Sequence, residues 1–150
     1  MELDNPTPID SQVVRCGPLT DADRDLIAAA TEVVDRCSDG ANHTVAAAVR
    51  DASGRIHTGV NVFHFTGGPC AELVVLGVAR AAGAGELESI VAVGDEDRGV
   101  LSPCGRCRQV LADLHGGLRV ILPTGGALAA VSAVDLLPFR YEQTYERRLR

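Results

Sequence analysis

After an irregular start, the chain alternates between two hydrophobic rhythms. Residues 1–18 carry Pro6, Pro8, Pro18 and Gly17, which break any regular pattern and predict an irregular arm rather than a second domain. From Thr20 the run "TDADRDLIAAATEVVDRCSDG" has a start signal in Thr20 and Asp23, an acidic first turn, an alanine-rich interior and Gly40 just past its end, so it predicts a helix. In "HTVAAAVRDASGRIHTGVNV" two alternating or small apolar runs flank Asp51–Gly54, where Ser-Gly supplies a turn, and a β-hairpin is expected. The next segment, "CAELVVLGVARAAGAG", is apolar on nearly all faces, the mark of a buried helix, and Gly83 and Gly85 end it. "ESIVAVGD" then predicts a buried strand, "EDRGVLSP" a loop, and "CGRCRQVLADLHGG" a helix stopped by Gly116 and Gly117. "LRVILP" and "ALAAVS" add strands, and "VDLLPFRY" a short last helix. This order implies an α/β domain: a mixed sheet with helices on its faces.

Composition narrows the partners. A chain of 150 residues with 46% apolar and 23% charged residues fits one globular domain, 1–150. Its net charge of −6 excludes a surface built to neutralise nucleic-acid phosphates or anionic lipid, so neither a nucleic-acid polymer nor a membrane is expected as a partner. Arg147, Arg148 and Arg150 form a short basic tail within 142–150 that reads as a solvated end. "MELDNPTPID" lacks the basic and apolar regions of a signal peptide, and no stretch reaches membrane-spanning length, so the expected location is the cytoplasm. There the five cysteines are expected to be reduced, metal-binding or catalytic rather than a disulfide framework.

Cys104 and Cys107 stand three apart at a helix start, so their thiols share a face and can chelate one ion. The unpaired N–H groups there favour the thiolate a metal needs. Cys70 opens the other helix in the same way, and both helices follow β segments, where open α/β sheets place their ligand crevices. Three thiolates leaving a fourth position open suit a catalytic zinc rather than a structural one. Zinc lowers the pKa of bound water from about 15.7 toward about 7, and Glu72 is the nearby carboxylate that would take up the proton. Two other readings stay open: "PCGRC" before a helix also fits a thioredoxin-like dithiol site, which leaves Cys70 and Glu72 without a role, and a structural zinc site needs a fourth ligand. His64 is a candidate for it, but His43, His57, His64 and His115 all read as packed or surface residues, Cys16 as a small buried hydrophobe and Cys37 as a helix-end residue.

The pairing of C-A-E at Cys70–Glu72 with P-C-x-x-C at Pro103–Cys107 is close to the zinc nucleobase deaminase signature in its three-cysteine form, and the chain resembles the cytidine deaminase family. Within that family, "GRIHTGVNVFHFTGGPCAELVVLG" and "GDEDRGVLSPCGRCRQVLADLHGG" resemble the blasticidin S deaminases of fungi. The resemblance runs from Gly54 to Leu122 and extends to Leu136–Pro138 and Tyr141. It implies a three-layer α/β/α cytidine deaminase-like fold with a mixed sheet of about five strands. It further implies that Cys70, Cys104 and Cys107 bind a single Zn²⁺ per chain and that Glu72 shuttles protons. The Ala71 N–H would hold the ring's O2, and the Ser102 carbonyl would take the leaving amine. The reaction implied is hydrolytic loss of the 4-amino group from a free cytosine nucleoside or nucleoside antibiotic, blasticidin S first and cytidine or 2′-deoxycytidine as the alternative. A homotetramer is implied as well, its sites walled partly by neighbouring subunits.

Four positions depart from the ordinary pattern of that family. Asn61 matches the asparagine of Asn-x-Glu that holds a ribose hydroxyl, but Phe63 replaces the glutamate, and a phenyl ring accepts no hydroxyl hydrogen bond. His43 stands where an aromatic usually lines the pocket. Leu73 follows C-A-E where arginine is common, while Arg106 lies between the two cysteines. Three thiolates around Zn²⁺ leave a net negative centre, so Arg106 is expected to donate hydrogen bonds to the thiolates and restore the electrophilicity of the metal.

Overall fold

The computed structural model describes residues 16–142. Residues 1–15 of the expected arm and residues 143–150 of the basic tail lie outside the described residues. Seven strands, β1 (Cys16–Gly17), β2 (Val45–Asp51), β3 (Ile56–Val60), β4 (Leu87–Gly94), β5 (Gly99–Leu101), β6 (Arg119–Pro123) and β7 (Leu128–Ser132), form one mixed sheet. Among the described residues three helices accompany it: α1 (Asp21–Cys37), α2 (Ala71–Ala81) and α3 (Gly105–Leu114). The strand order is β1-β7-β6-β4-β2-β3, with β5 paired to β4. Five of these strands were legible in the sequence, and the two additions are short.

The alternating pleat sorts the sheet into two cores. Ala47, Val49, Ile90, Ala92, Val120, Leu122 and Val131 face one way, into a cluster with Ala71, Val75 and Ala79 of α2 and Leu111 of α3. Their neighbours Ala46, Ala48, Val91, Val93, Ile121 and Ala130 face the other way, against Leu26, Ala30 and Val34 of α1. Both faces are therefore buried, which explains the continuous apolar runs of β2 and β4. The result is a three-layer α/β/α domain. Small side chains on β2 and β3 let the helices approach closely: a Cβ at Gly59 would stand 3.0 Å from Val74 Cγ1 and 3.2 Å from the Val75 nitrogen of α2.

α1 begins as expected, with a capping box in which the Thr20 hydroxyl accepts from the Asp23 N–H at 3.1 Å and the Asp23 carboxylate accepts from the Thr20 N–H at 2.9 Å. Asp23 also accepts from Arg119 at 2.8 and 3.1 Å, which ties the helix start to β6. The hairpin turn closes on Asp51, whose carboxylate accepts from the Ser53 hydroxyl, the Arg55 backbone N–H and guanidinium, and the buried His57 ring.

Three expectations need correction. "EDRGVLSP" is not simply a loop, because β5 folds back on β4 through a turn whose central residues, Glu96 and Asp97, have φ of 50° and 57°. Two left-handed residues are what a tight hairpin turn requires, and Glu-Asp is not its usual sequence signal. The last helix is a 3-10 turn, Ala133–Leu136, ending before Pro138. Cys16, expected to be buried in an irregular arm, is exposed on β1, which pairs with β7 at the sheet edge.

The topology decides where the two cysteine-led helices start. β4 and β6 are parallel, and β3 runs parallel to β4 because both are antiparallel to β2. α2 follows β3 and α3 follows the β4–β5 hairpin, so both helices lie on the same face. Their N-termini meet at the edge of the sheet where ligand crevices form in α/β proteins.

Candidate active site

Cys70 is the N-cap of α2 and Cys104 the N-cap of α3, each with extended backbone and no side-chain cap bond. Cys107 sits in the first turn of α3, fully buried. The three Sγ atoms lie within 4.8 Å of one another, and Cys70 and Cys104 are 3.6 Å apart. A tetrahedral zinc with Zn–S of about 2.3 Å fits such a triangle and keeps one position open. Burial, the Cys104 thiol and nearby negative charge push the Cys70 thiol up. Burial and the Glu72 carboxylate push Cys107 far above the ordinary thiol range. At Cys104 burial opposes ionisation, but the Cys107 N–H, the neighbouring thiols and the Arg106 N–H outweigh it and bring the thiol down. The helix N-terminus thus favours the thiolate at only one of the three cysteines. The other two resist ionisation where no positive charge neutralises them, and a bound cation would supply that charge.

Glu72 lies one residue inside α2, only 7% exposed, and burial raises its carboxyl above the usual carboxylate range. Its neighbour Ala71 is fully buried and, as the first residue of α2, has an N–H with no intrahelical acceptor. A cavity of about 170 Å³ opens beside them, lined by Asn61, Cys70, Ala71, Glu72, Ser102 and Cys104 with Val45, Ala92 and Leu101. A larger hollow of about 580 Å³ lies at the other ends of α2 and α3 and holds none of these groups. The chemistry is at the smaller one.

Among the expected substrate residues, Asn61, Ala71 and Ser102 reach the cavity, while Phe63 and His43 are not in its lining. The Asn61 Oδ1 accepts from the N–H groups of Thr44 and Val45 at 2.7 and 2.9 Å, so only its amide donors are free for a ligand. His43 places Nδ1 2.7 Å from the Asn61 carbonyl and braces that residue from behind. Phe63 is 65% exposed on the loop that leads from Asn61 to Cys70. Arg106 does not donate to a sulfur. Its guanidinium reaches the carbonyls of Gly67 and Gly68 at 3.4 and 3.2 Å, fastening the loop that delivers Cys70. That loop is tight: a Cβ at Gly68 would fall 1.7 Å from the Val62 carbonyl oxygen. The apolar lining by Val45, Ala92 and Leu101 was missed. Val45 and Ala92 are indistinguishable in sequence from the rest of their strands, and Leu101 stands on the unexpected β5.

The fold and the site together define an α/β/α metalloenzyme with a three-thiol centre and a buried carboxylate beside it. Residues 20–122 match the model of the cytidine and deoxycytidylate deaminase zinc-binding region, and the chain belongs to that family. It is a zinc-dependent aminohydrolase of the cytidine deaminase type. A blasticidin-S deaminase from Bacillus cereus is 32% identical over 132 residues, covering 82% of this chain and 94% of that protein. A cytidine deaminase from Mycobacterium tuberculosis (strain ATCC 25618 / H37Rv) is 41% identical over 80 residues, 52% of this chain and 59% of that one. The crystal structure of cytidine deaminase from Burkholderia pseudomallei superposes with a TM-score of 0.67 at 35% identity, covering 82% of this chain and all of that one. No helix among the described residues is long and apolar enough to cross a membrane.

Proposed function

We propose that the protein removes the 4-amino group of a free cytosine nucleoside by hydrolysis, with blasticidin S as the leading substrate. Zinc, held by Cys70, Cys104 and Cys107, supplies an activated water when bound. The remaining steps belong to side chains and backbone of this chain. Glu72 takes the proton from the attacking water on its carboxylate and passes it to N3 of the ring, then serves the departing amine, which leaves as ammonia. Its raised pKa suits that work, because a carboxyl that both accepts and gives a proton works best nearer neutrality. The Ala71 N–H is offered to the ring's O2, and the Ser102 carbonyl to the amine. The dry walls of Val45, Ala92 and Leu101 strengthen each of these contacts.

The observation that carries the substrate reading is Phe63 on the loop beyond Asn61. The cavity is smaller than the about 300–1,000 Å³ of ordinary ligand pockets, so it takes the ring end and leaves the sugar end at the rim. Asn61 offers donors from the cavity lining, and position 63, on the exposed loop beyond it, carries a phenyl ring that supplies no acceptor for a ribose hydroxyl. A modified sugar suits that rim better, and the similarity to the Bacillus cereus blasticidin-S deaminase supports the same substrate. The second reading is plain cytidine or 2′-deoxycytidine deamination, favoured by the similarity to the solved Burkholderia cytidine deaminase. A homotetramer belongs to both readings.

Measuring kcat/KM for blasticidin S, cytidine and 2′-deoxycytidine separates them. Blasticidin S is expected to rank first by about tenfold or more, the discrimination worth about 1.4 kcal/mol. A ranking with cytidine far ahead overturns the substrate and leaves the reaction standing.

A further inference from the structure

Cys107 is flanked on α3 by two arginines that reach different loops. Arg106 holds Gly67 and Gly68, ahead of Cys70. Arg108, half-buried, donates from Nε to the Pro103 carbonyl at 2.9 Å and from Nη1 to the Leu136 carbonyl at 3.2 Å. Among the described residues no carboxylate pairs with Arg108. Its charge is spent wholly on two backbone oxygens.

Both acceptors are ones that regular structure leaves over. Pro103 is buried and precedes the N-cap of α3, and Leu136 ends the 3-10 turn, with Pro138 shortly after. Hydrogen bonds from a charged donor are about twice as strong as neutral ones. The planar guanidinium serves two acceptors at a fixed separation, whereas a lysine ammonium is a single point. Further along α3, Gln109 donates to the Tyr141 carbonyl at 2.8 Å and Asp113 faces Arg140 at 3.6 Å. The segment from Leu136 to Tyr141 is thereby fastened to α3, and Arg108 is the fastening that also grips the active-site loop.

We infer that Arg108 is a positioning residue for deamination, locking the Ser102–Pro103–Cys104 peptide against the C-terminal segment. In that role it sets the spacing between the Ser102 carbonyl, the acceptor of the leaving amine, and the Cys104 sulfur that holds the metal. The inference rests on the roles given to those two residues under the proposed function.

The test compares Arg108→Gln, Arg108→Lys and Gln109→Ala holoenzymes with the parent. Three quantities are measured: the rate of zinc transfer to a chromophoric chelator, kcat and KM separately with a cytosine nucleoside, and Tm. Arg108→Gln is expected to speed zinc transfer and to lower kcat by about 10- to 100-fold with KM changed less than about threefold, since a misplacement near 1 Å costs up to about 100-fold. Arg108→Lys should recover most of the zinc retention, because its ammonium reaches the Pro103 carbonyl, while its kcat stays between those of the parent and Arg108→Gln. Gln109→Ala, which frees the Tyr141 carbonyl and the Asp113 carboxylate but neither the Pro103 nor the Leu136 carbonyl, should leave zinc transfer and kcat at parental values. If Arg108→Gln lowers Tm while zinc transfer and kcat stay parental, Arg108 merely anchors the C-terminal segment and the inference is overturned. A parent protein that purifies without zinc and takes up none overturns the site assignment itself, and the inference with it.

Discussion

Replacing Glu72 by Gln should leave a folded, zinc-loaded protein whose kcat is lower by about 10²- to 10⁴-fold, the usual worth of a positioned acid–base group. The amide matches the carboxylate in shape, so it refills a site that is only 7% exposed without opening a cavity. It has no basic oxygen to take up a proton. None of the three sulfurs is touched by the change, so zinc content measured by atomic absorption should stay at the parental ratio. KM should move little, because Glu72 acts on protons in transit rather than on the ground-state ring. A Glu72→Gln protein with kcat within about tenfold of the parent would assign the proton transfer to another group.

The second large effect is expected at Cys107, the fully buried corner of the thiol triangle. Cys107→Ala removes one of three ligands from a centre with no spare donor in the triangle, so the protein should purify with little zinc and lose ammonia release. Cys70→Ala should behave the same way, because the two sulfurs serve one ion. Their equivalence separates the metal reading from a dithiol site at Cys104 and Cys107, where changing Cys70 would leave activity intact. Zinc per chain and turnover, measured on both variants, decide the matter. A Cys70→Ala protein that is metal-free and active contradicts the metal reading.

Sequence and structure agree most closely where the signal is local. Thr20 and Asp23 announce the start of α1 because a capping box is a short-range hydrogen-bond pattern. Cys104 and Cys107 reveal their shared face because helical spacing alone sets it. That Cys70 joins them was expected from its place at a second helix start after a β segment, and the topology, which starts α2 and α3 at one edge of the sheet, brings the three sulfurs together. Contacts between loops were not legible at all. Arg106 reads as a partner for thiolates until the Gly67–Gly68 backbone turns two carbonyls toward it. β5 stayed hidden because its turn places Glu96 and Asp97 in a left-handed conformation that their sequence does not advertise. Phe63 and His43 were expected at the substrate because the resemblance to the family assigns their positions to it. Phe63 instead rides an exposed loop, and His43 turns its ring to the Asn61 backbone.

The most direct test of the account is ammonia release from a cytosine nucleoside by the purified protein, before chelation, after chelation and after zinc is restored. Equimolar ammonia for nucleoside consumed, abolished by the chelator and recovered with zinc, is the expected result. Undiminished turnover in metal-free protein, or no ammonia from blasticidin S, cytidine or 2′-deoxycytidine with zinc bound, would contradict it.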